Sequence, residues 1–182
     1  MEETQLIASC LQQDRKAQYL LYNKYSRSLY SICMRIMPDS GSTADMLQEG
    51  FLDIYQKLDK YDGRGSLEGW MKRLIVNTCI DGLRRNKKMP IYFTETIPDT
   101  KEEIEEKSYY NIDLLINVID MLPQGYKMIF SLYAIEGYDH EEIGQILGIS
   151  EQTSKSQYHR AKIKIRELIN DLKIKDKIFD NE

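Results

Sequence analysis

The sequence contains few residues that interrupt helices, with only four prolines and ten glycines among its 182 residues. Alternation of apolar and polar residues is nearly absent, and residues 90–94 are the only candidate for a strand. No apolar run approaches ~18 residues, and the N-terminus lacks a basic-then-apolar secretion signal. These absences favour a helical, cytoplasmic protein that does not insert into a membrane.

Residues that form metal or catalytic sites are also scarce. The three cysteines and two histidines are widely spaced, include no CxxC pair and match no zinc pattern. We therefore interpret Cys10, Cys33 and Cys79 as small buried hydrophobic residues of a reducing compartment. Because no nucleophile–base set or phosphate-cradling loop is present, we expect no enzyme activity, no metal, no cofactor and no small-molecule substrate.

Apolar residues at three- and four-residue steps predict helices along most of the chain. The periodicity fails between residues 89 and 108, where residues 95–106 carry a net charge of −5. We therefore predict an all-α protein of two small helical domains joined by a flexible acidic linker. The predicted boundaries are residues 1–90 and 111–175 for the domains, 91–110 for the linker and 176–182 for a tail.

The most informative stretch runs from Asp139 to Ile163. A short helix is expected between a capping Asp139 and a left-handed Gly148, and Ser150 is expected to cap a second helix. This outline is typical of a helix-turn-helix, whose second helix enters the major groove of DNA. Residues 151–167 carry a net charge of +3, which favours nucleic acid as the partner.

Side chains along this second helix are candidate contacts to DNA, although a solvated basic face of a structural helix is the alternative. The amide of Gln157 suits adenine, and Lys155 suits guanine or phosphate. The hydroxyl groups suit either kind of target. The candidate contacts are Thr153, Ser154, Lys155, Ser156, Gln157, His159, Arg160 and Lys162.

A second basic helix lies in the first half of the chain, where residues 69–89 carry a net charge of +5. It follows a glycine-containing loop with the backbone freedom to form a pocket for an extruded base, and Asn77 offers a donor and an acceptor to a base edge. The alternative is that Arg84 and Arg85 only match the helix dipole. Trp70 is interpreted as a core residue rather than a stacking platform.

The helix that precedes this loop is acidic. Residues 39–62 carry a net charge of −4, and a negative face repels DNA. The acids are interpreted either as a solvated face or as a surface that binds a protein.

Three ordered stretches resemble the extracytoplasmic-function (ECF, group IV) sigma factors of the sigma-70 family of bacterial RNA polymerase. They are ADMLQEGFLDIYQKLDKYD, GSLEGWMKRLIVNTCIDGLRRNKK and LPQGYKMIFSLYAIEGYDHEEIGQILGISEQTSKSQYHRAKIKI. The resemblance implies a sigma factor that binds core RNA polymerase and directs promoter recognition and transcription initiation. The implied partners are core RNA polymerase, promoter DNA and, as a further candidate, an anti-sigma factor.

The resemblance also implies roles for individual residues. It places the polymerase contacts on Asp45, Gln48, Glu49 and Asp53. The second helix of the helix-turn-helix is expected to read the −35 element. The −10 contacts are expected at Tyr61, Asp62, Gly63, Arg64, Ser66, Arg73, Asn77, Arg84 and Arg85.

Three positions depart from the family pattern. Ser154 stands where an apolar packing residue is usual, Gln157 where an arginine is usual, and Gly144 where an alanine is usual. Two other functions fit the residues without the resemblance. One is a helix-turn-helix regulator that acts without polymerase, and the other is a helical adaptor that binds proteins.

Overall fold

The computed structural model describes residues 2–90 and 112–179, without the side chains of 112–114 and 173–179. Within these ranges the chain is helical and contains no strand, which confirms the all-α class. The chain divides into two compact units, Met1–Met89 and Pro90–Glu182, and each is described by itself below. The predicted linker, and the strand candidate apart from Pro90, lie outside the described residues.

The first unit contains four α-helices and one short 3-10 turn. Asp14 caps the start of the second helix, since its side chain accepts a hydrogen bond from the backbone N–H of Lys16 at 2.8 Å. Asp39 starts the third helix in the same way, through the N–H of Ser42 at 2.7 Å. The elements are α1 (Glu3–Leu11), α2 (Arg15–Ile36), α3 (Ser40–Lys57), the 3-10 turn Leu58–Lys60 and α4 (Leu67–Arg85).

Helices α2, α3 and α4 pack against one another around a core of fully buried aliphatic side chains, including Leu29 and Ile54. Glycine allows α3 and α4 to approach closely. A Cβ atom on Gly50 would overlap the side chain of Ile75, and one on Gly82 would overlap the sulfur of Met46. Glycine within a helix costs ~1 kcal/mol relative to alanine. At these two positions the close packing of α3 against α4 opposes that cost.

Helix α4 ends at Arg85, before the last two lysines of the basic segment. Lys87 has a φ of 53°, and the N–H of Lys88 donates to the carbonyl of Leu83 at 2.9 Å. This left-handed turn separates the last two lysines from the helical arginines.

The second unit is also helical. Pro123 directly precedes a helix as its N-cap, where the missing N–H removes no hydrogen bond from the helix. A π-helical turn follows that helix, with the N–H of Glu136 donating to the carbonyl of Ser131 at 3.0 Å. The elements are α5 (Ile112–Asp120), α6 (Gln124–Phe130), the π turn Ser131–Ile135, α7 (His140–Leu147) and α8 (Glu151–Phe179).

The long helix α8 organises the second unit. It packs against α5, α6 and α7. Ile165 and Ile169 of α8 form a buried cluster with Val118, Ile119 and Leu122. Packing of the C-terminal half of α8 therefore holds its N-terminal half in place beside α7.

Candidate nucleic-acid interface

The turn between α7 and α8 is fixed by caps at both helices. Asp139 Oδ1 accepts from the N–H of Glu142 at 2.8 Å, and Glu142 Oε2 accepts from the N–H of Asp139 at 3.0 Å. Gly148 ends α7 with a φ of 71°, and Ser150 Oγ accepts from the N–H of Thr153 at 3.0 Å. The predicted caps of the helix-turn-helix are confirmed.

Gly144 lies on the inner side of this turn. A Cβ atom on it would lie 2.8 Å from the carbonyl oxygen of Ile149 and 3.4 Å from the nitrogen of Glu151. Both neighbours are backbone atoms and cannot move without shifting the turn. The glycine that departs from the family pattern therefore permits a close approach between α7 and the start of α8.

Four of the candidate DNA contacts on α8 face the protein interior. Thr153, Ser154, Ser156 and Gln157 are between 0 and 6% exposed. Ser154 Oγ lies 2.9 Å from His140 Nδ1, and Ser156 Oγ donates to the carbonyl of Thr153 at 3.0 Å. Since buried side chains engaged within the unit do not reach base edges, the expectation of direct DNA contact at these four positions is corrected.

The opposite side of α8 carries the remaining candidates. Lys155 is exposed and forms an ion pair with Glu151 at 2.8 Å, while His159, Arg160 and Lys162 are partly exposed. Gln152 is also exposed on this side, although it is not among the eight candidate contacts given above. Helical spacing accounts for the exposure, since residues 152, 155 and 159 share one face of α8 and residues 153, 154 and 157 share another.

An aromatic cluster supports the inner face of α8. The rings of Tyr133 and His140 are stacked, with centroids 4.2 Å apart and an interplanar angle of 11°. Tyr158 lies 4.5 Å from Tyr133 and 5.7 Å from His140, and the Lys162 ammonium lies 5.1 Å from the Tyr158 ring centre. Burial, and then the positive charge of Lys155, lower the pKa of His140. The one sequence feature that points to this cluster is Ser154, which stands where an apolar packing residue is usual.

The candidate site in the first unit begins with the loop between α3 and α4. Gly63 and Gly65 adopt φ angles of 77° and 80°, and the Tyr61 hydroxyl donates to the carbonyl of Gly65 at 2.8 Å. Asp62 Oδ1 accepts from the N–H of Arg64 at 2.9 Å. The loop is thus a defined turn, with the exposed Arg64 side chain at its tip.

The start of α4 joins this loop. Ser66 Oγ accepts from the N–H of Gly69 at 3.1 Å and therefore caps α4. The rings of Tyr61 and Trp70 lie 5.6 Å apart in a tilted arrangement, and Trp70 is half-buried. The indole is therefore neither a fully buried core residue nor an isolated platform.

Along α4, the structure separates the predicted −10 residues into two directions. Arg73, Asn77 and Arg84 are exposed and lie within roughly 40° of one another around the helix. Arg84 Nη1 forms an ion pair with Asp81 at 3.1 Å. Arg85 points elsewhere, since its Nη2 donates to Glu49 Oε2 of α3 at 2.7 Å.

The acidic side of α3 carries the four predicted polymerase contacts. Asp45 and Gln48 are exposed, whereas Glu49 and Asp53 are half-buried. Asp53 forms an ion pair with Lys57 at 2.6 Å. Leu52 lies on the same side of the helix and is 61% exposed, which adds apolar area to this surface.

A groove of about 310 Å³ lies between α2 and α3 beside Gln48. Arg27 of its lining is exposed, whereas Leu47 is buried. The complete lining is Tyr22, Ser26, Arg27, Tyr30, Ala44, Leu47 and Gln48.

The three thiols are buried and unbonded, which confirms the structural interpretation of the cysteines. The Sγ atoms of Cys33 on α2 and Cys79 on α4 lie 3.6 Å apart. This contact, together with burial, strongly raises the pKa of the Cys79 thiol. Among residues 2–90 and 112–179, no three metal-ligating side chains are grouped. No helix in these ranges is both long enough and apolar enough to span a bilayer.

Two family models match the chain, one over each unit. The model described as Sigma-70 region 2 matches residues 21–89, and the model described as Sigma-70, region 4 matches residues 112–165. Together they span more than half of the chain. The first contains α3, α4 and the loop between them, and the second contains the helix-turn-helix.

Curated relatives match across both units. The ECF RNA polymerase sigma factor SigW of Bacillus subtilis is 27% identical over 163 residues, which cover 81% of this chain and 86% of the relative. The ECF RNA polymerase sigma factor SigE of Mycolicibacterium smegmatis is 26% identical over 158 residues. That match covers 82% of this chain and 60% of the longer relative.

A solved structure shares the fold. The sigma factor RpoE, in a co-crystal structure with the anti-sigma factor NepR from Bartonella quintana, superposes with a TM-score of 0.53 at 15% identity. The superposition covers 84% of this chain and 96% of that chain. At this identity the likeness supports the fold of two helical units and not individual contacts.

Proposed function

Since the chain belongs to the ECF group of the sigma-70 family, we propose that it binds core RNA polymerase and directs promoter recognition and transcription initiation. The proposed role is that of a non-enzymatic initiation factor in the cytoplasm. The observation that carries it is the coincidence of the two matched regions with two helical units. Each unit presents an exposed basic helix, and one also presents an acidic helix.

The acidic side of α3 is the proposed polymerase anchor. Asp45 and Gln48 are exposed beside the apolar surface of Leu52. A mixed surface of this kind suits a protein partner, because exposed apolar area gains free energy when it is buried and the flanking polar groups set the orientation. Its negative charge disfavours direct contact with DNA.

The loop from Tyr61 to Ser66 and the exposed stripe of α4 are the proposed −10 interface. Arg73 and Arg84 suit phosphates, and the exposed amide of Asn77 suits a base edge. Capture of an extruded base offsets part of the unstacking cost, which is a few kcal/mol. Ser66 contributes by holding the first turn of α4.

The exposed face of α8 is the proposed −35 interface. Lys155 and Gln152 project from the first two turns of the helix, with His159, Arg160 and Lys162 behind them. Lys155 and Gln152 suit base edges, and Arg160 and Lys162 suit phosphates. The contact of Ser154 with His140 supports this face by holding α8 against α7.

Run-off transcription tests the proposal. Purified bacterial core RNA polymerase is incubated with a promoter library, with and without this chain. We expect start sites that appear only when the chain is added. Start sites that are independent of the chain would contradict the proposal, and tight selective binding of duplex DNA without polymerase would favour a polymerase-independent regulator.

Variants of the anchor give a narrower test. Replacing Asp45 and Gln48 together by alanine should weaken core binding at least about tenfold, because the side chains lie at the centre of the proposed interface. Asn23→Ala, at an exposed polar position of α2 outside the groove beside Gln48, is the control and should leave core affinity unchanged. If the unmodified chain, the double variant and the control bind core with equal affinity, α3 is not the polymerase anchor.

An anti-sigma factor is a further partner that we propose. The solved structure of RpoE contains such a factor, and this chain shares its fold. Such a partner would compete with polymerase if it covers α3. A pull-down with the chain as bait, with and without excess core polymerase, tests this competition.

A further inference from the structure

One ion pair connects the acidic side of α3 to the basic end of α4. Glu49 Oε2 accepts a hydrogen bond from Arg85 Nη2 at 2.7 Å. The side chains are 41% and 57% exposed, so solvent and binding partners reach both groups. The pair therefore joins two surfaces for which the proposed partners are different.

Carboxylates accompany several cations at the end of α4. The hydrogen bond to Glu49 raises the pKa of the Arg85 guanidinium, with a smaller contribution from the charge of Asp81. Such pairing lowers the positive potential that a phosphate group would meet. The pairs are Arg84 with Asp81 at 3.1 Å, Arg85 with Glu49 at 2.7 Å and Lys88 with Asp39 at 3.7 Å.

Glu49 also borders the surface that we assign to polymerase. Asp45 lies one turn before it on the same side of α3, and Gln48 is its exposed neighbour. A partner that covers Asp45 and Gln48 reaches the carboxylate of Glu49 without any movement of α3. Exposed ion pairs contribute little to stability, so the bond to Arg85 is exchanged at small cost.

We propose that Glu49 couples polymerase docking to DNA capture, an inference that rests on the proposed function. In the free chain Glu49 holds the Arg85 guanidinium against α3. A basic or hydrogen-bond-donating group of the docked polymerase takes the carboxylate, and Arg85 turns to a phosphate of the opened strand. Because coupling between two sites is reciprocal, a strand that draws Arg85 away strengthens polymerase docking by the same factor.

Binding of single-stranded DNA to the free chain tests the first half of the proposal. The probe is a fluorescein-labelled pool of short single-stranded oligonucleotides with randomised sequence, measured by anisotropy. Glu49→Gln should bind the pool about two- to fivefold more tightly than the unmodified chain, because Arg85 is no longer held by a charge. Asp59→Asn removes an equal charge from an exposed position of the same unit and should have a smaller effect.

A double-mutant cycle separates release of Arg85 from loss of a negative charge near DNA. In an Arg85→Ala background, Glu49→Gln should change the affinity for the pool no more than Asp59→Asn does. An equal gain with and without Arg85 would overturn the proposal, since the effect would then be general electrostatics.

The second half is tested with core polymerase. Core polymerase should raise the affinity of the unmodified chain for the oligonucleotide pool by a larger factor than it raises the affinity of Glu49→Gln. The ratio of these two factors should equal the gain in affinity that Glu49→Gln shows without core. If core binds both proteins normally and raises their affinities for the pool by the same factor, the coupling is overturned and the proposed function is not. Failure of the unmodified chain to bind core at all would overturn the proposed function as well.

Discussion

At the scale of single residues, Gly144 sets the distance between the two helices of the helix-turn-helix. Alanine is a better helix former than glycine by about 1 kcal/mol. Here the added methyl group would lie 2.8 Å from a backbone oxygen of the following turn. Overpacking of this kind typically costs about 1–3 kcal/mol, so the steric term exceeds the gain in propensity.

Gly144→Ala should therefore destabilise the second unit by about 1 kcal/mol. Circular dichroism during thermal unfolding measures it, and Trp70, the only tryptophan, reports the first unit separately by fluorescence. The fluorescence transition should not move. Gly41→Ala is the control, because a Cβ there meets only Asp39 Oδ1 at 3.5 Å. A second-unit transition in the Gly144→Ala protein at the same temperature as in the unmodified chain would refute the close approach.

His140 makes the stability of the second unit depend on pH. Burial lowers its pKa below the ordinary value of 6.5, so the unfolded chain binds the proton before the folded unit does. The unit is therefore at full stability above pH 6.5 and loses stability as the pH falls below that value. The neighbouring charges are Lys155 and Lys162, which oppose protonation, and Asp139 and Glu151, which favour it.

Urea unfolding of the second unit between pH 5.5 and 7.5, followed by circular dichroism, measures this dependence. His140→Phe keeps an aromatic ring beside Tyr133 and should remove much of the slope below pH 6.5. The variant also leaves Ser154 without its imidazole partner, so its stability at neutral pH is expected to be lower. A slope that persists unchanged in His140→Phe would assign the dependence to other groups.

At the scale of elements, α8 serves two purposes on two faces. Its inner face holds polar residues that bond within the unit, and its outer face holds the cations. A substitution on one face should therefore affect folding, and a substitution on the other should affect binding.

Gln152→Ala should weaken binding of the holoenzyme to upstream promoter DNA by about 1–3 kcal/mol if the amide reads a base, with no change in melting temperature. Gln157→Ala should instead lower the melting temperature, because its buried side chain is removed from the inner face. Filter binding and thermal unfolding of both variants measure the two effects. The opposite assignment of effects would show that α8 is rotated relative to the face described here.

The sequence predicts the ends of these elements better than their faces. Asp139, Gly148 and Ser150 act as caps because each role depends on local backbone geometry, which residue type reveals. Ser154 and Gln157 were assigned to DNA because polar residues usually lie outside. Their burial depends on partners such as His140, fourteen residues away from Ser154, which a local pattern does not specify. The π turn is not visible in the sequence, because it adds one residue to a single helical turn and five residues are too few for the spacing of apolar residues to reveal the change.

At the scale of the whole molecule, the chain consists of two compact units with their own cores. The family models match one region in each unit. The resemblance in sequence was sufficient to predict both, since its three stretches lie in the same units. The boundaries at residues 90 and 111 remain predictions, because residues 91–111 lie outside the description.

Cutting the chain between the two units should reduce transcription even when both parts are supplied. Each unit offers few phosphate contacts, so the covalent connection supplies a high effective concentration for the second contact. Residues 1–90 and 112–182, mixed with core polymerase, should initiate at least about tenfold less than the intact chain at equal concentration. Folding of each part is checked first by circular dichroism. Equal activity of the mixture would show that polymerase binds each unit tightly by itself.

The burial of Cys33 and Cys79 has a practical consequence for kinetic studies. Both thiols lie inside the α2–α4 interface, and the raised pKa of Cys79 keeps that thiol protonated. An alkylating reagent therefore modifies Cys79 only when the bundle opens, because the thiolate is the reactive form. The rate of alkylation then measures how often the first unit opens, and a cysteine introduced on its surface would accept a fluorophore long before the native pair reacts.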